Sequence, residues 1–417
     1  STLTRFDFSK YVRLESEIKL SDNLVLLFRK NGPAQRLLLR RFVLSDYKPG
    51  GGFQMSNKKG VDDIISSVPD MTVNLPDPGY GRREAVEQEY YFVNLDPTSL
   101  IAMNYPVKIT PLKNWKESSF LRIYRVDSRV SQITYEELFD DGIFGGGETD
   151  YDWFLYEDNT DYESDLLSGP ADDERGSLSR KTDAEGADND GESLPKGLDP
   201  ALMDYYTDYG NDEAIRELAL DVTADAYSYM EKVTALVSHL QNDYLYSLKP
   251  GIAPDGNQLH HFLFESGKGY CSYFAFAMAL MARSIGIPTR VAVGFVAMPE
   301  FEVLNIYEVR ANMAHAWVEV FFEGLGWIEF DPTSANLAPG EGLEFLFNFQ
   351  MSDELKDLIE EILDNQALLA EETREEMDLD GGRDSLSPFL LIVSSWLFRY
   401  WMFILPLLFA GTVVSIR

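Results

Sequence analysis

The sequence predicts an α+β protein with an all-β, sandwich-like region first, a domain of helices followed by strands second, and a membrane helix last. Three observations carry this prediction. Short alternating apolar segments recur over residues 1–135, an apolar helix over 271–285 precedes several strands, and residues 389–416 are apolar except for Arg399. Alternation marks half-buried strands, whereas an uninterrupted apolar run marks a buried or membrane-embedded segment.

Composition and charge argue against nucleic-acid binding and predict an acidic linker. The chain has 417 residues, enough for two or three domains, and its formal net charge of −33 argues against nucleic acid as a partner. Residues 136–192 hold twenty acidic residues against three basic ones. Such a block is typical of a solvated segment, so residues 136–198 are predicted to be an acidic linker. An EF-hand calcium loop is disfavoured there, because the position that requires Asp, counted back from Gly191, is Gly186.

Residues 1–135 are predicted to form a β-sandwich-like domain. Strands are expected at 24–28, 37–43, 89–93, 105–109 and 120–126, separated by Gly- and Pro-rich turns such as those at 50–52 and 76–79. No catalytic motif stands out in this region, so the chemistry is expected further along the chain.

Residues 199–345 are predicted to form the catalytic domain. Two helices come first, over 213–222 behind a cap at Asn211 or Asp212, and over 228–242. Residues 271–285 then form a helix that is apolar all round, which indicates a central buried position, and Gly286 is expected to end it. Strands follow at 290–297, 314–322 and 326–330.

Two more helices are predicted near the C-terminus. Residues 352–377 form an acidic amphipathic helix, which we expect to pack against the catalytic domain or a partner helix. Residues 389–416 are predicted to be a transmembrane segment, either one tilted span or an interfacial helix up to about Tyr400 followed by a span, because Arg399 divides the run. The acidic segment before the run and Arg417 at its end place residues 1–385 outside the cytoplasm. Since the chain starts at Ser1 without a signal peptide, we expect it to be a portion of a larger membrane protein.

The candidate nucleophile is Cys271, the one cysteine in the chain. Without context, a lone cysteine is more often a small buried apolar side chain than a nucleophile. Cys271, however, falls in the first turn of the predicted buried helix, where the helix dipole favours a thiolate and the free amide can stabilise an oxyanion. Gly267 and Gly269 precede it and are expected to let the backbone approach a substrate closely.

Four histidines are available as the base. His239 lies inside a predicted helix. His260 and His261 are adjacent in a polar loop, where they are candidates, with Gln258, for the second oxyanion donor, or for a metal pair that lacks a clear third ligand. His315 begins a predicted strand and is the candidate base.

Asp331 is the candidate for orienting the imidazole. If Phe322 pairs with Gly326 across a three-residue loop, Asp331 lies on the same face of the hairpin as His315, within side-chain reach. A register shifted by one residue turns Asp331 to the other face, so the three-residue register or a compensating bulge is predicted.

Four ordered blocks make these residues recognisable. They are Gly-Tyr-Cys-Ser-Tyr-Phe-Ala at 269–275, Gly-Ile-Pro-Thr-Arg-Val at 286–291, Ala-His-Ala-Trp-Val-Glu-Val at 314–320 and Trp-Ile-Glu-Phe-Asp-Pro-Thr at 327–333. Together they resemble the transglutaminase-like superfamily, with its papain-like cysteine triad, and more narrowly its bacterial membrane-anchored branch. The resemblance covers about residues 200–335 and implies the triad Cys271, His315 and Asp331.

The resemblance implies a membrane-anchored thiol acyl-transfer enzyme that acts on protein or peptide carboxamides, either a transglutaminase or a cysteine protease or deamidase. Neither a cofactor nor a metal is implied. Two alternatives belong to other classes. One is a catalytically silent binding or scaffold module at the cell surface, and the other is a metal enzyme that uses His260 and His261.

Overall fold

The structure is a computed structural model and describes residues 5–34, 36–50, 52–58, 67–138, 197–341 and 352–379. The chain divides into two compact units, Ser1–Gln350 and Met351–Arg417. The strands are β1 (Leu24–Asn31), β2 (Leu38–Leu44), β3 (Asp46–Lys48), β4 (Gly52–Gln54), β5 (Val73–Asn74), β6 (Arg83–Phe92), β7 (Pro106–Leu112), β8 (Arg122–Ser131), β9 (Leu245–Tyr246), β10 (Lys268–Gly269), β11 (Thr289–Val296), β12 (Glu302–Val303), β13 (Ile306–Arg310), β14 (Ala314–Phe322) and β15 (Gly326–Phe330). The helices are α1 (Tyr135–Leu138), α2 (Pro200–Tyr206), α3 (Glu213–Val222), α4 (Tyr229–Asp243), α5 (Gln258–His261), α6 (Cys271–Ser284) and α7 (Asp353–Leu379), and a π-helical turn covers Phe262–Ser266.

Two large sheets organise the first unit. The larger sheet has seven strands in the order β12-β13-β1-β6-β8-β7-β5, and the smaller has four in the order β15-β14-β11-β2. Each sheet therefore takes strands from both sides of the acidic stretch, through the pairs β1–β13 and β2–β11. The β-rich character of the N-terminal region is confirmed. The prediction of a sandwich that ends near residue 135 needs correction, because alternation identifies strands but does not say which strands they pair with.

Side-chain caps fix where helices α3 and α4 begin. The side chain of Asp212 accepts a hydrogen bond from the amide of Ile215 (3.2 Å) and so begins α3, as predicted. In α4, Ser228 and Glu231 form a reciprocal capping box. Both helices bury their apolar faces against the same cluster that surrounds α6.

Helix α6 is the centre of the unit, as its apolar sequence predicts. All fourteen of its residues are buried, and the helix packs against β11 and β14 of the smaller sheet. Its one charged residue, Arg283, is satisfied by main-chain carbonyls, including that of Thr289 at 2.7 Å. Gly286 follows with φ of +80°, the left-handed conformation that ends a helix.

The hairpin of β14 and β15 has the predicted register. Phe322 pairs with Gly326 and Val318 with Phe330, so the next residue, Asp331, leaves β15 on the face that carries His315. The three-residue loop thus determines which face receives the carboxylate.

The second unit contains α7, which begins after Ser352 as its sequence pattern predicts; the Ser352 hydroxyl accepts a hydrogen bond from the amide of Leu355 (3.1 Å). In the part of the chain that the structure describes, no helix combines the length and the apolar character needed to cross a membrane. The predicted span over 389–416 and nearly all of the predicted acidic linker over 136–198 lie outside the described residues.

Candidate active site

Cys271 is the first residue of α6. Tyr270, which precedes it, has an extended backbone (φ −100°, ψ 177°), so the helix starts abruptly at the cysteine. The first amides of a helix have no acceptor within the helix, and the positive end of its dipole lies there. Cys271 is only 2% exposed, and the sulfur is therefore held in a largely desolvated position.

The two glycines before Cys271 have different local reasons. A Cβ on Gly269 would lie 2.5 Å from the Cβ of Tyr273 and 3.1 Å from the ring of Phe262. Gly267 ends the π-helical turn with φ of +62°. Close packing at Gly269 and a left-handed backbone at Gly267 let the chain turn tightly into α6, and the approach of a substrate to this backbone stays a prediction.

His315 lies at the start of β14, where it meets both other predicted site residues. Its Nε2 is 2.7 Å from Oδ2 of Asp331, which leaves Nδ1 as the ring nitrogen for the Cys271 sulfur. Burial lowers the pKa of His315, but Asp331 and Cys271 outweigh that effect, and the pKa stands well above the usual value for histidine. The structure thus favours an imidazolium beside the sulfur.

Asp331 is fixed from both sides. Its Oδ1 accepts a hydrogen bond from the amide of Thr333 (3.0 Å), and its main-chain carbonyl accepts one from the side chain of Gln241 in α4 (2.8 Å). Burial raises the pKa of Asp331, but His315 and Thr333 outweigh it, and the pKa lies below the usual value. The carboxylate is consequently ionised at the pH where the imidazole is protonated.

The strands that carry His315 and Asp331 are stabilised by a buried ion-pair network. Glu319 is fully buried in β14, and its Oε2 accepts hydrogen bonds from Nε of Arg290 (2.7 Å) and from Nη1 of Arg40 (3.1 Å). Glu329 stands opposite Glu319 in the hairpin. The two guanidinium groups offset the repulsion between these carboxylates, so the predicted register is tolerated.

The other polar candidates are engaged elsewhere. The amide nitrogen of Gln258 donates to the carbonyl of Gly251 and to the hydroxyl of Tyr273, both at 2.9 Å. Nε2 of His260 pairs with Asp212 (2.6 Å), and Nδ1 of His261 pairs with Glu265 (2.7 Å). In helix α4, Nδ1 of His239 pairs with Asp243 (2.7 Å). Within the described residues, the hydrogen bonds of these four side chains are made to partners other than Cys271.

A segment that the sequence patterns did not mark, residues 5–18, lies across the start of α6; we call it the N-terminal strap. The hydroxyl of Ser272 donates to the carbonyl of Tyr11 (2.8 Å). The hydroxyl of Tyr270 accepts from the amide of Glu15, and that of Tyr273 donates to its carbonyl, both at 2.9 Å. The strap is thus bound to residues on either side of the nucleophile. No periodicity in the sequence signals this contact, because it joins segments some 260 residues apart.

Two tyrosines lie near enough to Cys271 to interact with it electrostatically. Tyr11 belongs to the strap, and Tyr246 belongs to β9. Burial raises the pKa of each phenol, and Cys271 raises both further, so both hydroxyls keep their protons.

Residues 216–332 match the family model of the transglutaminase-like superfamily. The chain is 38% identical over 136 residues to the uncharacterised protein YebA of Bacillus subtilis strain 168, which covers 31% of this chain and 18% of that protein. It is 34% identical over 126 residues to a protein-glutamine gamma-glutamyltransferase of Pseudomonas aeruginosa, covering 30% and 19% respectively. Among solved structures, the periplasmic domain of TgpA from Pseudomonas aeruginosa aligns with a TM-score of 0.43 at 17% identity, covering 75% of this chain and 90% of that one. The matched regions make up about a fifth of the length of these two curated relatives.

Proposed function

Because residues 216–332 form a domain of the transglutaminase-like superfamily, we propose that the chain is a thiol acyl-transfer enzyme that acts on protein or peptide carboxamides. One observation carries the proposal. His315 lies between the sulfur at the start of α6 and a carboxylate 2.7 Å from its Nε2, with its pKa raised. This arrangement is the one that activates a cysteine nucleophile.

The roles of the three residues follow from their positions. The Cys271 thiolate attacks the carboxamide carbon, a C–S bond forms, and the carbonyl electron pair moves to oxygen. The main-chain N–H of Cys271 stabilises the oxyanion. His315 then gives its proton to the leaving amine as the C–N bond breaks, and a thioester remains. Asp331 orients the imidazole and stabilises its charged form throughout.

The second half of the reaction admits two acceptors. An amine that attacks the thioester gives transglutamination, and water gives deamidation or peptide hydrolysis; His315 takes the proton from either acceptor. The glutamyltransferase name of one relative favours glutamine carboxamides as acyl donors. We propose glutamine side chains as the first substrates to test.

We also propose that the chain is anchored in the membrane and that its catalytic domain lies outside the cytoplasm. The support is the apolar run over 389–416, with aromatic residues at 396, 400 and 401 that suit a membrane interface. Fractionation of cells that express the chain, followed by protease treatment of spheroplasts, tests this directly. If the catalytic domain is protected from protease in intact spheroplasts, the proposed orientation outside the cytoplasm is wrong.

The first experiment is alkylation of the full chain with iodoacetamide across pH. Because the chain has a single cysteine, all label reports on Cys271. We expect rapid alkylation below pH 7 and its loss in His315→Ala, since the imidazolium is what keeps the sulfur ionised there. His239→Ala is the matched control, because that histidine also pairs with a carboxylate at 2.7 Å but lies in α4.

A second assay identifies the acceptor. The chain is incubated with a glutamine peptide, with and without a fluorescent primary amine, while amine incorporation and ammonia release are measured. Amine incorporation identifies a transglutaminase, and ammonia release alone identifies a deamidase. If Cys271 alkylates only as an ordinary thiol does, near pH 8.5 and regardless of His315, the catalytic proposal fails in favour of a silent binding module.

A further inference from the structure

The proposed thioester chemistry requires a second hydrogen-bond donor at the carbonyl oxygen. A tetrahedral intermediate carries a full charge on that oxygen, and sites of this kind aim two or more preorganised donors at it. The N–H of Cys271 supplies one. Gln258, His260 and His261 are engaged in other hydrogen bonds, so another polar group near the start of α6 is a better candidate for the second donor.

Tyr246 occupies a fixed position beside the segment that enters α6. Strand β9 runs parallel to β10, with Tyr246 paired to Gly269, two residues before the nucleophile. On its other side, the amide of Tyr246 donates to the carbonyl of Asn336 (2.7 Å), and its carbonyl accepts from the amide of Ala338 (2.9 Å). The backbone is therefore held from two directions, as a preorganised donor requires.

The side chain of Tyr246 is placed against the site but is not otherwise used. It packs on the buried cluster that includes Cys271. Its hydroxyl makes no hydrogen bond with any residue that the structure describes, whereas the neighbouring hydroxyls of Tyr270 and Tyr273 both do. Since burial and the nearby sulfur raise its pKa, the phenol stays protonated and is a donor at every physiological pH.

We propose that the Tyr246 hydroxyl is the second oxyanion donor and acts together with the main-chain N–H of Cys271. This inference rests on the proposed acyl-transfer function. Tyr11 is the other phenol beside the sulfur, but it belongs to the N-terminal strap, which covers the start of α6. Cys271 is 2% exposed, so a carbonyl can reach its sulfur only if a covering segment makes room. Movement of the strap would carry Tyr11 away, whereas Tyr246 lies on β9, whose backbone is held on two sides.

Two reagents separate oxyanion stabilisation from thiol activation. Iodoacetamide reacts at a saturated carbon: the C–S bond forms, iodide leaves, and no oxyanion arises. In p-nitrophenyl acetate the thiolate attacks a carbonyl carbon, an oxyanion forms, and its collapse expels p-nitrophenolate and leaves the acetyl thioester. A residue that stabilises only the oxyanion affects the second reaction and not the first.

The test measures both rates in the full chain for Tyr246→Phe, Tyr11→Phe and Tyr244→Phe. Tyr244 is the matched control, because its buried hydroxyl donates to the carbonyl of Leu263 (3.0 Å) and not towards the sulfur. For Tyr246→Phe we expect unchanged alkylation, which also shows that the site is folded, and acylation slowed on the order of 10²-fold. For the other two variants we expect wild-type acylation.

The other outcomes distinguish an error in the assignment of Tyr246 from an error in the proposed acyl-transfer function. Equal loss of both reactions in Tyr246→Phe, unchanged acylation in that variant, or selective loss in Tyr11→Phe overturns the assignment of Tyr246 while the acyl-transfer function stands. A wild-type chain whose Cys271 is neither alkylated below pH 7 nor acylated overturns the proposed function and this inference together.

Discussion

Replacement of Asp331 by Asn tests the central contact of the site with little change in shape. The Oδ2 of Asp331 lies 2.7 Å from Nε2 of His315, and its Oδ1 accepts the amide of Thr333. In the variant, the amide oxygen keeps the bond to Thr333 and the amide nitrogen faces His315. A neutral imidazole then has to accept at Nε2 and carry its proton on Nδ1, so that the nitrogen facing the sulfur no longer acts as a base.

The size of the effect follows from the geometry. Two unit charges 2.7 Å apart attract by about 1.5 kcal/mol even at the dielectric constant of water, near 80, and more strongly in a protein environment. The side chain of Asp331 is 47% exposed, so solvent screens the pair and the water limit is the appropriate lower bound. Since about 1.4 kcal/mol is a factor of ten, we expect the imidazolium–thiolate form to fall at least about tenfold. The unfavourable tautomer adds to this loss, and an equivalent change in a serine triad reaches about 10⁴ in kcat.

The assay is the second-order rate of iodoacetamide alkylation between pH 5 and 9, with turnover of a glutamine peptide measured in parallel. Asp243→Asn is the matched control, because Asp243 lies at the same 2.7 Å from Nδ1 of His239, on the surface of α4. We expect the control to behave as wild type. An Asp331→Asn chain that alkylates at the wild-type rate near pH 6 refutes the assignment of Asp331 as the group that keeps His315 charged.

Three further predictions concern stability and pH. Glu319→Gln leaves two buried guanidinium groups facing a neutral amide, so we expect the free energy of unfolding, measured in urea, to fall by about 3–5 kcal/mol. Gly269→Ala places a methyl group 2.5 Å from the Cβ of Tyr273, so we expect a loss of about 1–3 kcal/mol together with slower alkylation of the nucleophile; Gly81→Ala, whose Cβ meets nothing closer than 3.7 Å, is the control. Burial raises the pKa of Glu329, so its ionisation costs stability as pH rises above the ordinary glutamate value. Glu329→Gln is therefore expected to unfold at higher urea than wild type at neutral pH and to lose this advantage as pH falls below about 4.5.

These three predictions fail in different ways. An unchanged urea midpoint in Glu319→Gln would show that the ion-pair network is dispensable. Normal alkylation in Gly269→Ala would show that the turn into α6 adapts to a side chain. An advantage of Glu329→Gln that persists in acid would mean that ionisation of a buried carboxylate is not its cause.

Much of the site was predictable because it is built from local signals. The apolar run after Cys271 predicts a buried helix, and the structure buries every residue of α6. The three residues between Phe322 and Gly326 predict the hairpin register, and that register carries Asp331 to the face of His315. A turn and a periodicity are properties of adjacent residues, so the sequence contains them directly.

The sequence patterns predicted helices α3, α4, α6 and α7, eight of the strands, the hairpin register and the three residues proposed as the triad, but not α2 or β13. Three features are visible only in the folded chain. Strand β2 pairs with β11 and β13 with β1 across the acidic stretch, the N-terminal strap lies across the start of α6, and Tyr246 pairs with Gly269, two residues before Cys271. The reason is physical. Local structure follows from side-chain periodicity and turn chemistry within a few residues. Strand partners and the walls of a buried site follow instead from which apolar surfaces pack together, and segments hundreds of residues apart meet there through contacts that leave no periodic mark in either segment.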